Sequence, residues 1–189
     1  TSDCRNPSTP CQTIGYALGR SVAGDTLLVK AGTYLENLVI SWPVTIVGGY
    51  AAGDATWSVQ SSETVIDGQQ LDTVITLEGG SSGTVLASLT IANGYGVMVG
   101  GVDALNGSLF ILNCTIRDNV GYASEFSIGG GGVAGAVDVN NLTILNSRIV
   151  RNQINQGASG VRAHSGTLSM VNTLVADNSG DFAIHVNGA

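Results

Sequence analysis

ILNCTIRDN, running from Ile111 to Asn119, is a phrase that the chain repeats. It returns as LASLTIANG from Leu86, ILNSRIVRN from Ile144 and MVNTLVADN from Met170. Aligned on the central apolar residue, the copies place Ile91, Ile116, Ile149 and Val175 in register, at spacings of 25, 33 and 26 residues. A period of that size, built from short β-type runs, marks a solenoid in which each repeat is one coil.

The alignment carries other positions with it. Ile111, Ile144 and Met170 share one place, and Asn113, Asn146 and Asn172 the next but one. Asn119, Asn152 and Asn178 close the phrase. Successive coils stack at the strand spacing of about 4.8 Å, so an Asn file lets each amide bond its neighbours above and below. Asn113 is read as part of such an inward ladder. Asp118, Arg151 and Asp177 form a file of alternating sign, which favours the same register.

An earlier strand in each coil reads Val102-Asp103-Ala104, Val133-Ala134-Gly135, Val161-Arg162-Ala163 and Ile184-His185-Val186. With Val102, Val133, Val161 and Ile184 inward, alternation turns Asp103, Ala134, Arg162 and His185 outward. The connections back to this strand vary most. The longest runs from Val120 to Gly131 and includes Tyr122, Glu125 and Phe126.

Composition bounds the rest. The 189 residues suit one domain. Charged residues make up 11% and hydrophobic ones 43%, so the low charge does not signal disorder. Net charge is −7, and the cations are six scattered arginines and Lys30. That excludes nucleic acid as a partner, since phosphate binding needs clustered Lys and Arg. An acidic polysaccharide would also be repelled unless calcium or a local basic patch intervened.

The first 25 residues differ in character from the remainder of the chain. Thr9-Pro10-Cys11-Gln12 has the form of a capping box with Pro at the first helical position. It leads into TIGYALGRSV, where Ile14, Ala17, Leu18 and Val22 keep helical spacing until Ala23-Gly24-Asp25 stops them. Such a helix would cover the open apolar end of the first coil. From Thr26 short β-runs alternate with Gly, Asn and Asp, so the chain divides into a disulfide loop and capping helix (1–25) and coils (26–189). The stretch from Tyr50 to Ser62, with Trp57, reads as a loop between early coils.

Cys4 and Cys11 enclose a turn-rich RNPSTP loop. They suit a disulfide, free thiols or half of a metal site; no second cysteine pair or histidine cluster completes a metal site, so the disulfide is the reading. Cys114 sits among apolar neighbours as a small hydrophobe. The chain shows no signal peptide and no long apolar span, which fits an exported chain whose leader has been removed.

Taken in order, the pieces resemble a known family. They are the cysteines around NPSTP, then TIGYAL, GDTLLVKAGTYLEN, VTIVGGY, TVIDG, LTIANG, CTIRDN and GGGV. Together they resemble the right-handed parallel β-helix proteins exported by bacteria, the pectin-lyase-like superfamily. The resemblance implies an all-β fold, a right-handed parallel β-helix (solenoid) of about seven coils with an N-terminal helical cap. It also implies a secreted, extracellular or cell-surface location. Members of that superfamily include polysaccharide lyases and hydrolases alongside adhesins and surface repeat proteins.

In the enzymes resembled, the site lies on the outward face of the first strand and its adjoining loops. Here that face offers Asp103, Arg162 and His185, with Glu125 and Asp181 in neighbouring loops. A carboxylate or Ca2+ would steady a uronate while Arg162 or His185 moved a proton. Against this, Asp103 and Arg162 sit two coils apart with Ala134 between them, and no stacked acid pair is visible. Asp67-Gly68 reads as a turn, and the 129–132 glycines lack the Lys-Ser/Thr and helix of a phosphate loop. Trp42, Trp57, Tyr34 and Tyr50 could stack sugars or pack the cap. Sequons stand at Asn106, Asn113 and Asn141.

FAIHVNGA completes one first strand and leaves an edge at Ile184, His185 and Val186, to which a second copy or a continuing chain could add a strand. The expected function is a non-catalytic structural or adhesive β-solenoid, able to form oligomers or filaments through that edge. The alternatives are a lyase or hydrolase of an acidic polysaccharide and a carbohydrate-binding module. No cofactor is expected, with Ca2+ entering only for a lyase. A polysaccharide or a second copy is the expected partner, and no membrane span is expected.

Overall fold

The computed structural model describes residues 4–6, 8–51, 63–123, 134–163 and 166–186. Among these the fold is all-β, with three sheets of ten, six and three strands and one short helix. The strands pair in parallel, each with the strand of the next repeat rather than with its neighbour in sequence. Parallel partners need a long connection between them. Here the remaining strands of the repeat supply it.

Files of apolar side chains make the core, and three run through its middle. Ile66, Ile91, Ile116, Ile149 and Val175 are paired one to the next in the six-stranded sheet. In the ten-stranded sheet Ile46, Leu86, Ile111, Ile144 and Met170 form a second file. Leu38, Ile75, Val102, Val137, Val161 and Ile184 form the third. Side chains through the middle of each file are sealed from water, and each such burial stabilises the fold by about 1.5–3 kcal/mol.

The strands Val102–Leu112 and Val137–Leu145 serve more than one file, because each pairs with two separate strands of a neighbouring repeat. Their register breaks between Ala104 and Ser108, so the first part pairs with Ile75–Leu77 and the second with Thr84–Ala87.

Turns repeat as faithfully as strands. Ser88, Asn113, Asn146 and Asn172 all adopt the left-handed conformation, with φ of 54°, 53°, 51° and 48°. Asn93, Asp118, Arg151 and Asp177 do the same at the next corner, with φ of 56–57°. Asn and Asp tolerate this region better than other L-residues. Asn113 is therefore exposed at a corner and does not point inward as the sequence suggested. In its own outer file, the Asn172 amide donates to Asn146 Oδ1 at 2.9 Å. The inward ladder is the other one. Asn119 Nδ2 donates to Asn152 Oδ1 at 3.0 Å, and Asn152 Nδ2 to Asn178 Oδ1 at 3.0 Å. Each amide also satisfies main-chain groups: Asn119 reaches the Ile91 carbonyl, Asn152 that of Ile116 and Asn178 that of Ile149.

The cap is shorter than the spacing suggests. Helix α1 spans Ile14–Leu18, its N-cap is Thr13 rather than Thr9, and Val22 is exposed. The Cys4–Cys11 disulfide ties the preceding residues into a loop, and Pro10 stands inside that loop, ahead of the helix. The capping acid comes from the first repeat instead. Glu36 accepts the Ile14 and Gly15 N–H groups at 2.8 and 2.7 Å, while Ile14 and Leu18 are buried against the core.

Asn152→Ala should lower the unfolding free energy by about 3 kcal/mol, since it strands the buried Asn119 and Ile116 groups. Asn172→Gly, at a left-handed exposed corner, should change it by less than about 0.5 kcal/mol. Urea unfolding of the two variants checks the contrast.

Candidate functional site

The outward face of the first strand forms its own file: Val39, Thr76, Asp103, Asp138, Arg162 and His185, each paired with the next. This corrects the alignment drawn from sequence. Asp103 is followed by Asp138, not by Ala134, and Val102 by Val137, not by Val133. Ala134 bridges Val99 and Ala158; Val133 lies outside the described residues. A slip of four residues keeps the inward–outward parity, so alternation could not expose it. An acid pair on adjacent strands, absent from the expected set, is therefore present.

Asp138 is the residue that sequence reasoning missed. It is wholly buried, and Arg162 is only 7% exposed, so these are not solvated side chains. The Arg162 guanidinium stands 3.4 Å from Asp138 Oδ2, while among the described residues Oδ1 makes no hydrogen bond of good geometry, although the Val139 N–H lies close enough to favour the ionised form. Burial pushes the Asp138 carboxyl up to about 6; the Arg162 charge opposes the shift and the Asp103 charge adds to it. His185, next in the file, stacks on Phe182 with ring centroids 5.2 Å apart. Glu125 lies outside the described residues. Asp181 accepts the Gly157 N–H at 2.9 Å and staples a turn.

An acid held near pH 6 beside a second carboxylate has the makings of a proton donor. Yet Asp138 cannot touch a substrate while fully enclosed. Among the described residues no group of three or more His, Cys, Asp or Glu side chains converges on a metal position.

Other candidates fall into structural roles. Asp67 accepts the Gln69 N–H and the Asn93 amide, forming the turn. Trp42 donates to Ser21 and Tyr34 to the Lys30 carbonyl, both partly buried against the core beside the cap. Trp57 and the 129–132 glycines lie outside the described residues. Asp118, held below the usual carboxylate range chiefly by its hydrogen bonds from Arg151, is gripped at 2.8 and 2.9 Å by that guanidinium. The Cys114 thiol is buried and pushed up to about 11 by its burial.

An exposed aromatic pair was not foreseen. Tyr95 and Tyr122 project from the three-stranded sheet, on strands Tyr95–Val97 and Val120–Tyr122, each beside a valine of the paired strand. Gly96 turns inward between Tyr95 and Val97, where a Cβ would collide with the Val99 carbonyl. The Y-G-V and V-G-Y alternation was the available signal.

Comparison with protein-family models, with curated proteins and with solved structures finds no match to this chain. Among the described residues no helix is long and apolar enough to cross a membrane.

Cys114 should resist a thiol-reactive dye in the native protein and react fully in denaturant. Fast native-state labelling would show that its repeat opens far more readily than this packing allows.

Proposed function

We propose that the chain winds as a right-handed parallel β-helix and serves as a non-catalytic structural or adhesive module outside the cell. The observation that carries this reading lies at the centre of the first-strand face, where Asp138 is fully buried beside the buried Arg162. Ladders of asparagine and files of isoleucine and leucine build a stiff rod. The Cys4–Cys11 bridge supports an oxidising, extracellular setting. The last described strand, Phe182–Val186, exposes Phe182, Ile184 and Val186 along a sheet edge. A strand from a second copy or from further polypeptide would cover it.

The acid pair favours a second reading, a polysaccharide hydrolase or lyase acting through Asp103 and Asp138 once the face opens. The two readings separate in one assay. Pectate, alginate and chondroitin are incubated with the protein, with and without calcium, while reducing ends and unsaturated products are followed. The structural reading expects no product under either condition. Product formation abolished by Asp138→Asn would overturn it in favour of the enzyme.

A further inference from the structure

We propose that one outward face of the ten-stranded sheet is the surface on which two copies of the chain pair side by side. Register carries the idea. Leu28, Val47, Ala87, Leu112, Leu145 and Val171 form one outward file, each paired with the next. Two residues earlier on the same strands, Thr26, Thr45, Val85, Phe110, Thr143 and Ser169 form a second. None of these residues is charged, and Leu28, Phe110 and Val171 are exposed. The borders are uncharged too: Asn113, Asn146 and Asn172 at the corner on one side, Ser108 and Asn141 on the other. By contrast, the outward files of the six-stranded sheet carry Asp67, Arg117 and Arg148. The first-strand face carries Asp103, Asp138 and Arg162.

A second copy is the occupant that these observations favour. Net charge is −7, so two copies repel each other, and they approach best through a face that brings no charge with it. The centres of protein interfaces are depleted of charge in the same way. Counting strand spacings and two-residue steps, the face spans roughly 24 Å along the stack and 20 Å across. With the reach of its side chains the outline comes to roughly 700 Å2, near the ~800 Å2 that each partner buries in a stable pair. The patch of Tyr95, Val97 and Tyr122 belongs to the three-stranded sheet and is too narrow for this.

The face is also complementary to itself. A two-fold axis laid along the strands, between Thr84–Ala87 and Val102–Leu112, runs each file against its counterpart in reverse order. Leu28 then meets Val171 of the second copy, Val47 meets Leu145, and Leu112 meets Ala87. In the neighbouring file Phe110 meets Val85. Each larger side chain is set against a smaller one, which lets two sheets interdigitate about 10 Å apart. This lateral pairing uses a different surface from the edge at Phe182–Val186.

The test is sedimentation equilibrium of the wild type, Leu112→Lys, Ala87→Glu and an equal mixture of the two variants, with circular dichroism to establish that each is folded. The wild type should be a dimer at about 100 μM. Either substitution alone should weaken the dissociation constant by about 100-fold or more, because pairing then buries unpaired charges. Mixing the variants should restore a dimer with one copy of each, since the axis sets the two positions opposite each other. Ile184→Lys should leave the wild-type dimer intact. A dimer that survives both substitutions, or a mixture that stays monomeric, would overturn the proposal. Loss of the dimer in Ile184→Lys alone would assign it to the sheet edge instead. A monomeric wild type would also overturn it, and Leu112 methyl shifts on adding pectate or phosphatidylcholine vesicles would then give the face to sugar or lipid. Should the variants fail to fold, methyl NMR of the wild type on dilution decides. Shifts at Leu28, Leu112 and Leu145 support the pairing; no shifts, or shifts confined to Ile184 and Val186, refute it.

Discussion

Parallel pairing in register is the constraint on which the whole architecture depends. Once each strand lies beside its counterpart in the next repeat, equivalent side chains must stand about 4.8 Å apart in files. A file rewards whatever residue packs well against itself. Ile66, Ile91, Ile116 and Ile149 meet that demand with apolar contact, and Asn119, Asn152 and Asn178 meet it with amide-to-amide hydrogen bonds. The same rule penalises like charges, which is why the Asp103–Asp138 contact stands out. Elsewhere the file Asp118, Arg151, Asp177 alternates in sign.

Corners and connections divide the labour. Four successive repeats spend left-handed residues at two fixed corners, and their φ values agree to within a few degrees along the stack. Variation is pushed into the connections back to the first strand. The spacing from Ile116 to Ile149 accordingly exceeds that from Ile91 to Ile116 without disturbing the pairing. The cap obeys the same economy. A five-residue helix with glycine inside and after it has little stability of its own. Glu36 and the disulfide loop hold it over the first repeat.

The repeating phrase made the central files legible, because Ile, Asn and the corner residues recur there at matching positions. Cys114 and the Cys4–Cys11 pair were equally plain. The first strand was not, since small and β-branched residues recur at Val133 and Val137 alike and a four-residue slip preserves the facing of every side chain. That slip hid Asp138, whose chemistry depends wholly on which residues flank it in space. The helix start differs from the sequence reading because Pro10 mimics an N-terminal signal while standing inside the disulfide loop. Asn113 was misplaced because two Asn files look alike in sequence, although one turns inward and the other lines a corner.

Methyl NOE spectroscopy on isoleucine-labelled protein tests the stacking most directly. Strong contacts should link Ile66 to Ile91, Ile91 to Ile116 and Ile116 to Ile149, in that order, with far weaker ones between residues two repeats apart. Strong contact between Ile66 and Ile149, or none between Ile91 and Ile116, would contradict it.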